Sequence, residues 1–271
     1  MKNPAMLVAA ASPHRIGGLL QRAALIIALC AAGGAPSAAY AWNWNLGFGK
    51  TVSGSGKIKS ETRAVSGFSG IALSLDALVE IQQGSAEGVT VETDDNILPL
   101  IETVVENGTL IIRRASVNAS ISPSKLKIVV RAKTIDRLSI AGAGDIQAEA
   151  LKAPALQASI GGAGDMRIKS LDAGALSVNI AGSGDFSAAG HAASVHASIT
   201  GSGDLKAAKL DAKDVEVSIA GSGDAIVWAR GTLKVNVAGS GVVKYLGDAE
   251  VKQSVVGSGS IERLGAASSG S

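Results

Sequence analysis

The sequence predicts an all-β fold, a right-handed parallel β-helix (a solenoid) with coils of about 20 residues. Three observations predict it. A glycine-rich string recurs at a nearly constant period, the residues between its copies alternate between apolar and polar, and the composition suits a narrow repetitive interior. Of the 271 residues, 46% are hydrophobic, only 3% are aromatic and 34 are glycine. Small aliphatic side chains of this kind fill thin stacked layers better than an ordinary globular core.

The repeat is a six-residue string that ends in Gly-Ala-Gly-Asp or Gly-Ser-Gly-Asp. It occupies residues 140–145 and returns from residues 160, 180, 199 and 219, with weaker copies from residues 237 and 255. Successive copies therefore start 20, 20, 19, 20, 18 and 18 residues apart. A unit this short cannot bury its apolar face alone, so coils are expected to stack about 4.8 Å apart and to pair strand with strand.

The segments between the glycine strings have the pattern of strands. Leu156, Ala158 and Ile160 alternate with Gln157 and Ser159, and the following coils repeat this alternation. A period of two indicates a strand with one buried face. The glycines are expected at sharp corners that need positive φ. The rival architecture, an antiparallel sandwich, would need irregularly spaced hairpins and would not keep a fixed period.

The chain divides by composition and pattern into five predicted segments. These are a secretory signal peptide (1–41), a lead-in (42–56), irregular first coils (57–135), regular Gly-Ser-Gly-Asp coils (136–264) and a disordered tail (265–271). Basic residues, an apolar run and a small-residue site predict cleavage before Trp42. An uncleaved anchor, or acylation at Cys30, is the alternative for the leader. A small separate β domain is the alternative for residues 57–135.

The leader and the charge balance limit location and partners. A cleaved signal peptide predicts export to the periplasm, the outer cell surface or the medium. The whole chain carries a formal charge of +2, with 25 basic and 23 acidic residues, and the predicted leader holds 3 of the basic ones. No nucleic-acid motif and no second long apolar run follow, so neither a nucleic-acid partner nor a transmembrane span is expected.

Several segments together resemble the auto-transporter adhesin head GIN domain family. They are Gly-Ser-Gly-Lys-Ile-Lys-Ser-Glu-Thr-Arg at residues 54–63, Phe-Ser-Gly-Ile at 68–71, residues 89–98, Gly-Thr-Leu-Ile-Ile at 108–112, and the later Gly-Ser-Gly-Asp repeats. The resemblance covers residues 52–264. It implies an exported bacterial β-helical protein of unknown biochemical function, and it supplies no catalytic residues.

Five aspartates are the sharpest candidate site. If coils stack in register, the same corner holds Asp145, Asp165, Asp185, Asp204 and Asp224. Carboxylates about 5 Å apart repel one another, so something should relieve the repulsion. We expect them to cap the corner by accepting backbone N–H groups. A divalent cation such as Ca²⁺, which favours clustered oxygen ligands, is the alternative. No other cofactor or metal is expected.

A second candidate site is an outward row of small polar residues. Its members are Ser159, Asn179, Ser198, Ser218 and Asn236. The row is a candidate contact face for a glycan or a surface protein, and an ordinary solvated β-face is the alternative.

No catalytic or cofactor-binding constellation is present in the sequence. The prediction is therefore an exported, non-enzymatic binding or structural module, adhesin-like, that presents the ladder faces of a β-helix. The first alternative is a polysaccharide-acting β-helix enzyme, which would need long loops that build a cleft. The regular coils differ in length by only two residues and leave no room for such loops. The second alternative is a self-assembling envelope scaffold.

Overall fold

The computed structural model describes residues 51–116 and 120–265, which lie in one compact unit and consist almost entirely of strands. The predicted signal peptide, most of the lead-in and residues 266–271 of the predicted tail lie outside the described residues. Gly265, which the sequence prediction placed in the tail, is the last residue of a strand.

The strands follow one another with short connections. In the first half they are β1 (Val52–Ser53), β2 (Ile58–Arg63), β3 (Gly70–Ser74), β4 (Leu78–Gln83), β5 (Gly88–Asp94), β6 (Ile101–Glu106), β7 (Thr109–Arg114), β8 (Ile121–Ser122) and β9 (Leu126–Ala132). A 3₁₀ helix at Leu98–Leu100 precedes β6. In the part of the chain that the structure describes, no helix has the length and hydropathy to cross a bilayer.

The second half holds the regular coils. Its strands are β10 (Arg137–Gly142), β11 (Asp145–Ala148), β12 (Leu151–Gly162), β13 (Met166–Gly182), β14 (Phe186–Gly201), β15 (Leu205–Gly221), β16 (Ala225–Gly239), β17 (Val242–Leu246), β18 (Glu250–Gly257) and β19 (Ser260–Gly265).

Parallel pairing between successive coils confirms the predicted solenoid with coils of about 20 residues. Ile140 pairs with Ile160, Ile160 with Ile180, and Ile180 with Ile199. The register therefore advances by one repeat per coil, and equivalent residues form continuous ladders. The rival architecture, an antiparallel sandwich, does not describe these coils.

The alternation of the sequence separates interior from exterior. Leu156, Ala158 and Ile160 are buried, whereas Gln157 and Ser159 between them are exposed. The apolar residues just after the corners from Ile146 to Val243 are buried too, and Phe186 is the largest fully buried side chain among the described residues. The core is thus a column of aliphatic layers, as the low aromatic content predicted.

The first coils differ from the regular ones because some of their strands are antiparallel. β3 and β4 pair in parallel with β10 and β11, so they extend the same ladders. β5, however, runs antiparallel to both β2 and β9, and β6 and β7 form a hairpin. Asn107 and Gly108 at the hairpin turn have φ of +49° and +73°. Two central residues with positive φ are what a type I′ hairpin turn requires.

Candidate functional site

The five predicted aspartates occupy one corner of successive coils, and their carboxylates join coil to coil. In each case Oδ1 accepts the backbone N–H of the equivalent residue in the next coil. Asp145 accepts from Asp165 at 2.9 Å, Asp165 from Asp185 at 3.0 Å, and Asp185 from Asp204 at 3.1 Å. The row continues with Asp204 accepting from Asp224 at 3.2 Å and Asp224 accepting from Val242 at 2.8 Å. A carboxylate that accepts N–H groups in this way acts as a cap.

The two glycines of each corner are needed for different reasons. The first one has positive φ, for example +123° at Gly201, which only glycine adopts without strain. The second does not, but a Cβ at Gly203 would lie 2.2 Å from the carbonyl oxygen of Gly184 in the preceding coil. The sequence analysis expected positive φ for both glycines, whereas the second is required by the close approach of stacked backbones.

One lysine partly compensates the aspartate charge. Lys206 Nζ lies 2.5 Å from Asp185 Oδ2 and 3.7 Å from Asp204 Oδ2. Its hydrogen bond to Asp185 raises the pKa of Lys206, partial burial opposes this, and the charges of Asp185, Asp204 and Asp165 raise it further. The ammonium group is therefore held in its charged form beside the middle of the row.

The alternative cation site at the aspartates stays a prediction. Within residues 51–116 and 120–265, no group of three or more His, Cys, Asp or Glu side chains converges in a way that could hold a metal ion. The five carboxylates follow one another along the stack instead of surrounding a common point, and each has one oxygen engaged with backbone.

The predicted outward row is continuous and longer than expected. Ser159, Asn179, Ser198, Ser218 and Asn236 pair successively, and the row extends to Ser139 before them and Ser254 after them. We call these seven residues the contact face. Asn179, Ser159 and Asn236 are exposed, while Ser198 and Ser218 are half-buried.

The contact face is flat on one side, whereas the row two residues earlier on each strand carries longer side chains such as Gln157, His196 and Glu216. The row two residues further along each strand contains only small residues up to Ala238: Ala141, Gly161, Ala181, Thr200, Ala220 and Ala238. A shallow depression of about 290 Å³ lies over Ser198, Ser218, Asn236 and Ser254. None of the seven polar side chains has a hydrogen-bond partner among the described residues, so their donors and acceptors face solvent.

Asp94 is a buried polar residue that the sequence analysis did not single out. Its carboxylate accepts the backbone N–H of Gly56 and that of Ser124, both at 2.7 Å. Burial by itself would raise the pKa of Asp94, but these hydrogen bonds outweigh it and hold the pKa below the usual 3.8. A Cβ at Gly54 would lie 2.3 Å from Asp94 Oδ2, so that glycine leaves space for the carboxylate. Through these hydrogen bonds Asp94 links the segments around residues 54–56 and 124 to β5.

Comparison with protein families gives one match. The family model described as "Putative auto-transporter adhesin, head GIN domain" matches residues 67–249. That range includes the five aspartates and all of the contact face except Ser254. None of the curated proteins matches the sequence.

Solved structures of other proteins are similar to this chain in fold and, modestly, in sequence. A protein described as a putative adhesin from Bacteroides fragilis NCTC 9343 is 27% identical, with a TM-score of 0.74. A protein described as a putative lipid binding protein from Parabacteroides distasonis ATCC 8503 is 26% identical, with a TM-score of 0.69. Each alignment covers 79% of this chain and 100% of the other.

Proposed function

Since this chain belongs to the auto-transporter adhesin head GIN domain family, we propose that it is an exported, non-enzymatic, adhesin-like module that binds a glycan or a surface protein through the contact face. The single observation that carries this proposal is the row of seven outward Ser and Asn side chains in register, with no hydrogen-bond partners among the described residues. Solvent-facing hydroxyl and amide groups at a fixed spacing present donors and acceptors to a repeating ligand.

The dimensions of the face suit an extended partner. Seven coils at about 4.8 Å give a row of roughly 30 Å. The small residues on one side leave space for a flat ligand, and the row on the other side offers it longer polar and charged side chains. An exported location is supported by the predicted leader and by the adhesin family, and a non-enzymatic role by the nearly constant length of the regular coils, which carry no long loops.

The test is binding of the purified protein to an array of immobilised glycans. A variant with Ser198→Arg and Ser218→Arg places two long side chains on the contact face and should abolish binding. The matched control, Ser202→Arg with Ser222→Arg, makes the same changes in the same coils at the exposed middle positions of the corners. It should bind like the unmodified protein.

Three results would count against the proposal. One is equal loss of binding in both variants, which would indicate a general effect of charge. Another is the release of reducing ends from a bound polysaccharide, which would favour the enzyme alternative. The third is binding to lipid vesicles but to no glycan; the description of the Parabacteroides distasonis neighbour as lipid-binding is the reason to include vesicles.

A further inference from the structure

One coil is a residue shorter than its two neighbours, and the difference is confined to one place. β14 has 16 residues, between β13 and β15 with 17 each. The register shifts between Ile168 and Leu171 on one side of β14, and between Ser187 and Ala189 within it on the other. Two residues of β13, Lys169 and Ser170, therefore lie opposite a single residue of β14, Ala189. The residue missing from the short coil would lie beside Ala189.

The next coil bulges at the same place. Ala208, Lys209 and Leu210 of β15 have no counterparts in β16, since the pairing passes from Ala207 directly to Asp211. A short coil beside a bulged coil leaves a recess over the segment from Ser187 to Ala189, with a volume of about 520 Å³. This volume falls within the range of roughly 300–1,000 Å³ that is typical of ligand sites.

Four basic side chains line this recess. Arg167 and Lys169 belong to the coil before the short one, and Lys206 and Lys209 to the coil after it. The floor is formed by small residues, among them Ser187 and Ala189. None of the described residues that line the recess is acidic. This concentration of positive charge is local, because the chain as a whole carries only +2.

The charges of the recess are only partly compensated. Lys169 Nζ lies 2.6 Å from Glu149 Oε1, and Lys206 Nζ lies 2.5 Å from Asp185 Oδ2. Arg167 and Lys209 have no acidic partner among the described residues. A guanidinium and an ammonium group that face one small-residue floor from opposite sides are suited to hold an anionic group between them.

We propose that this recess is an anion site that binds an acidic sugar unit, whose carboxylate or sulfate lies between Arg167 and Lys209 and whose ring rests on Ser187 and Ala189. The floor is concave and small enough for a pendant group to enter, whereas a planar membrane surface would touch only the basic rim. The proposal goes beyond the proposed function, because the recess and the contact face lie on different segments of each coil.

Titration calorimetry with the purified protein tests the site. The probes are oligomers of galacturonate and heparin-derived oligosaccharides, with neutral dextran oligomers as a control. Arg167→Glu combined with Lys209→Glu should weaken binding of an acidic oligosaccharide by at least about tenfold, the usual effect of losing a charged hydrogen-bond partner. Arg137→Glu with Lys213→Glu makes the same charge change at two exposed positions outside the recess and should leave the affinity within about twofold.

A second variant tests the shape of the recess independently of its positive charge. Ala189→Trp keeps all four cations but fills the floor, so it should also remove binding. Equal weakening by the two charge-reversal pairs would overturn the proposal, as would full affinity in Ala189→Trp or no binding of any acidic oligosaccharide to the unmodified protein. Co-sedimentation with phosphatidylglycerol vesicles is measured as well. If the protein binds the vesicles and Ala189→Trp binds them equally well, the anion that it recognises is a lipid headgroup, and the proposal is also contradicted. The Ser198→Arg and Ser218→Arg variant should bind the acidic probes normally, so failure of the contact face is distinguishable from failure of the recess.

Discussion

At the scale of the single residue, each corner aspartate acts on the coil that follows it. Asp224 shows this most directly, because its carboxylate accepts the N–H of Val242, a residue that has replaced the aspartate of the next coil. One coil later, Val242 has no carboxylate, and the N–H of Ser260 instead donates to the backbone carbonyl oxygen of Gly241 at 3.3 Å. The side chain therefore supplies an acceptor at a corner where backbone geometry provides a poorer one.

This role predicts that the stability of the fold depends on the hydrogen-bond acceptor of Asp165 and not on its negative charge. Asp165→Asn retains Oδ1 and should change the free energy of unfolding by less than about 0.5 kcal/mol. Asp165→Ala leaves the N–H of Asp185 without its acceptor and should lower the free energy of unfolding by about 1 kcal/mol. Chemical denaturation of the two variants checks this.

The same pair of variants tests the calcium alternative. Thermal melts in EDTA and in excess Ca²⁺ should coincide for the unmodified protein, since each carboxylate already has a backbone partner. A calcium-induced rise in melting temperature that Asp165→Asn abolishes would instead identify the corner as a cation site.

At the scale of the element, the regular coils could be predicted because their signals are local and repeated. The alternation of Leu156, Ala158 and Ile160 with polar residues predicted one buried face, and all three are buried. The antiparallel pairing of β5 with β2 and β9 could not be predicted, because no fixed period relates those strands. The recess was also missed: the sequence shows a step of 19 residues between Asp185 and Asp204, but only the pairing register shows that the missing residue lies beside Ala189.

The placement of the short coil leads to a matched pair of insertions. One alanine inserted between Ala188 and Ala189 restores a 20-residue step and should be tolerated, with the melting temperature within a few degrees of the unmodified value. One alanine between Val195 and His196 moves the buried Ala197 and Ile199 to the outer face, because side chains alternate along a strand. The second insertion should lower the free energy of unfolding by several kcal/mol.

Circular dichroism during heating compares the two insertions. Equal damage from both would show that the shortened coil is needed for the fold, and not only for the recess. The tolerated insertion should also reduce binding of acidic oligosaccharides, because the added residue fills the space over Ala189.

At the scale of the whole molecule, stability depends on each coil being covered by the next one. Val237 and Val255 are partners in the same ladder, yet Val237 is 2% exposed and Val255 is 39% exposed. β18 and β19 pair only with the coil before them among the described residues. Val256 and Leu264 of this last described coil are exposed as well.

The contribution of a buried-face side chain to the free energy of unfolding should therefore depend on the position of its coil along the stack. Val237→Ala leaves a cavity between two coils and should lower the free energy of unfolding by about 2 kcal/mol. Val255→Ala, the same change at the same ladder position, should lower it by less than about 1 kcal/mol, because the side chain is partly in water already. Denaturant titrations of both variants at low protein concentration measure the difference. Equal losses would show that Val255 is covered in solution, and a dependence of its loss on protein concentration would identify the cover as a second copy of the chain, as the self-assembling scaffold alternative requires.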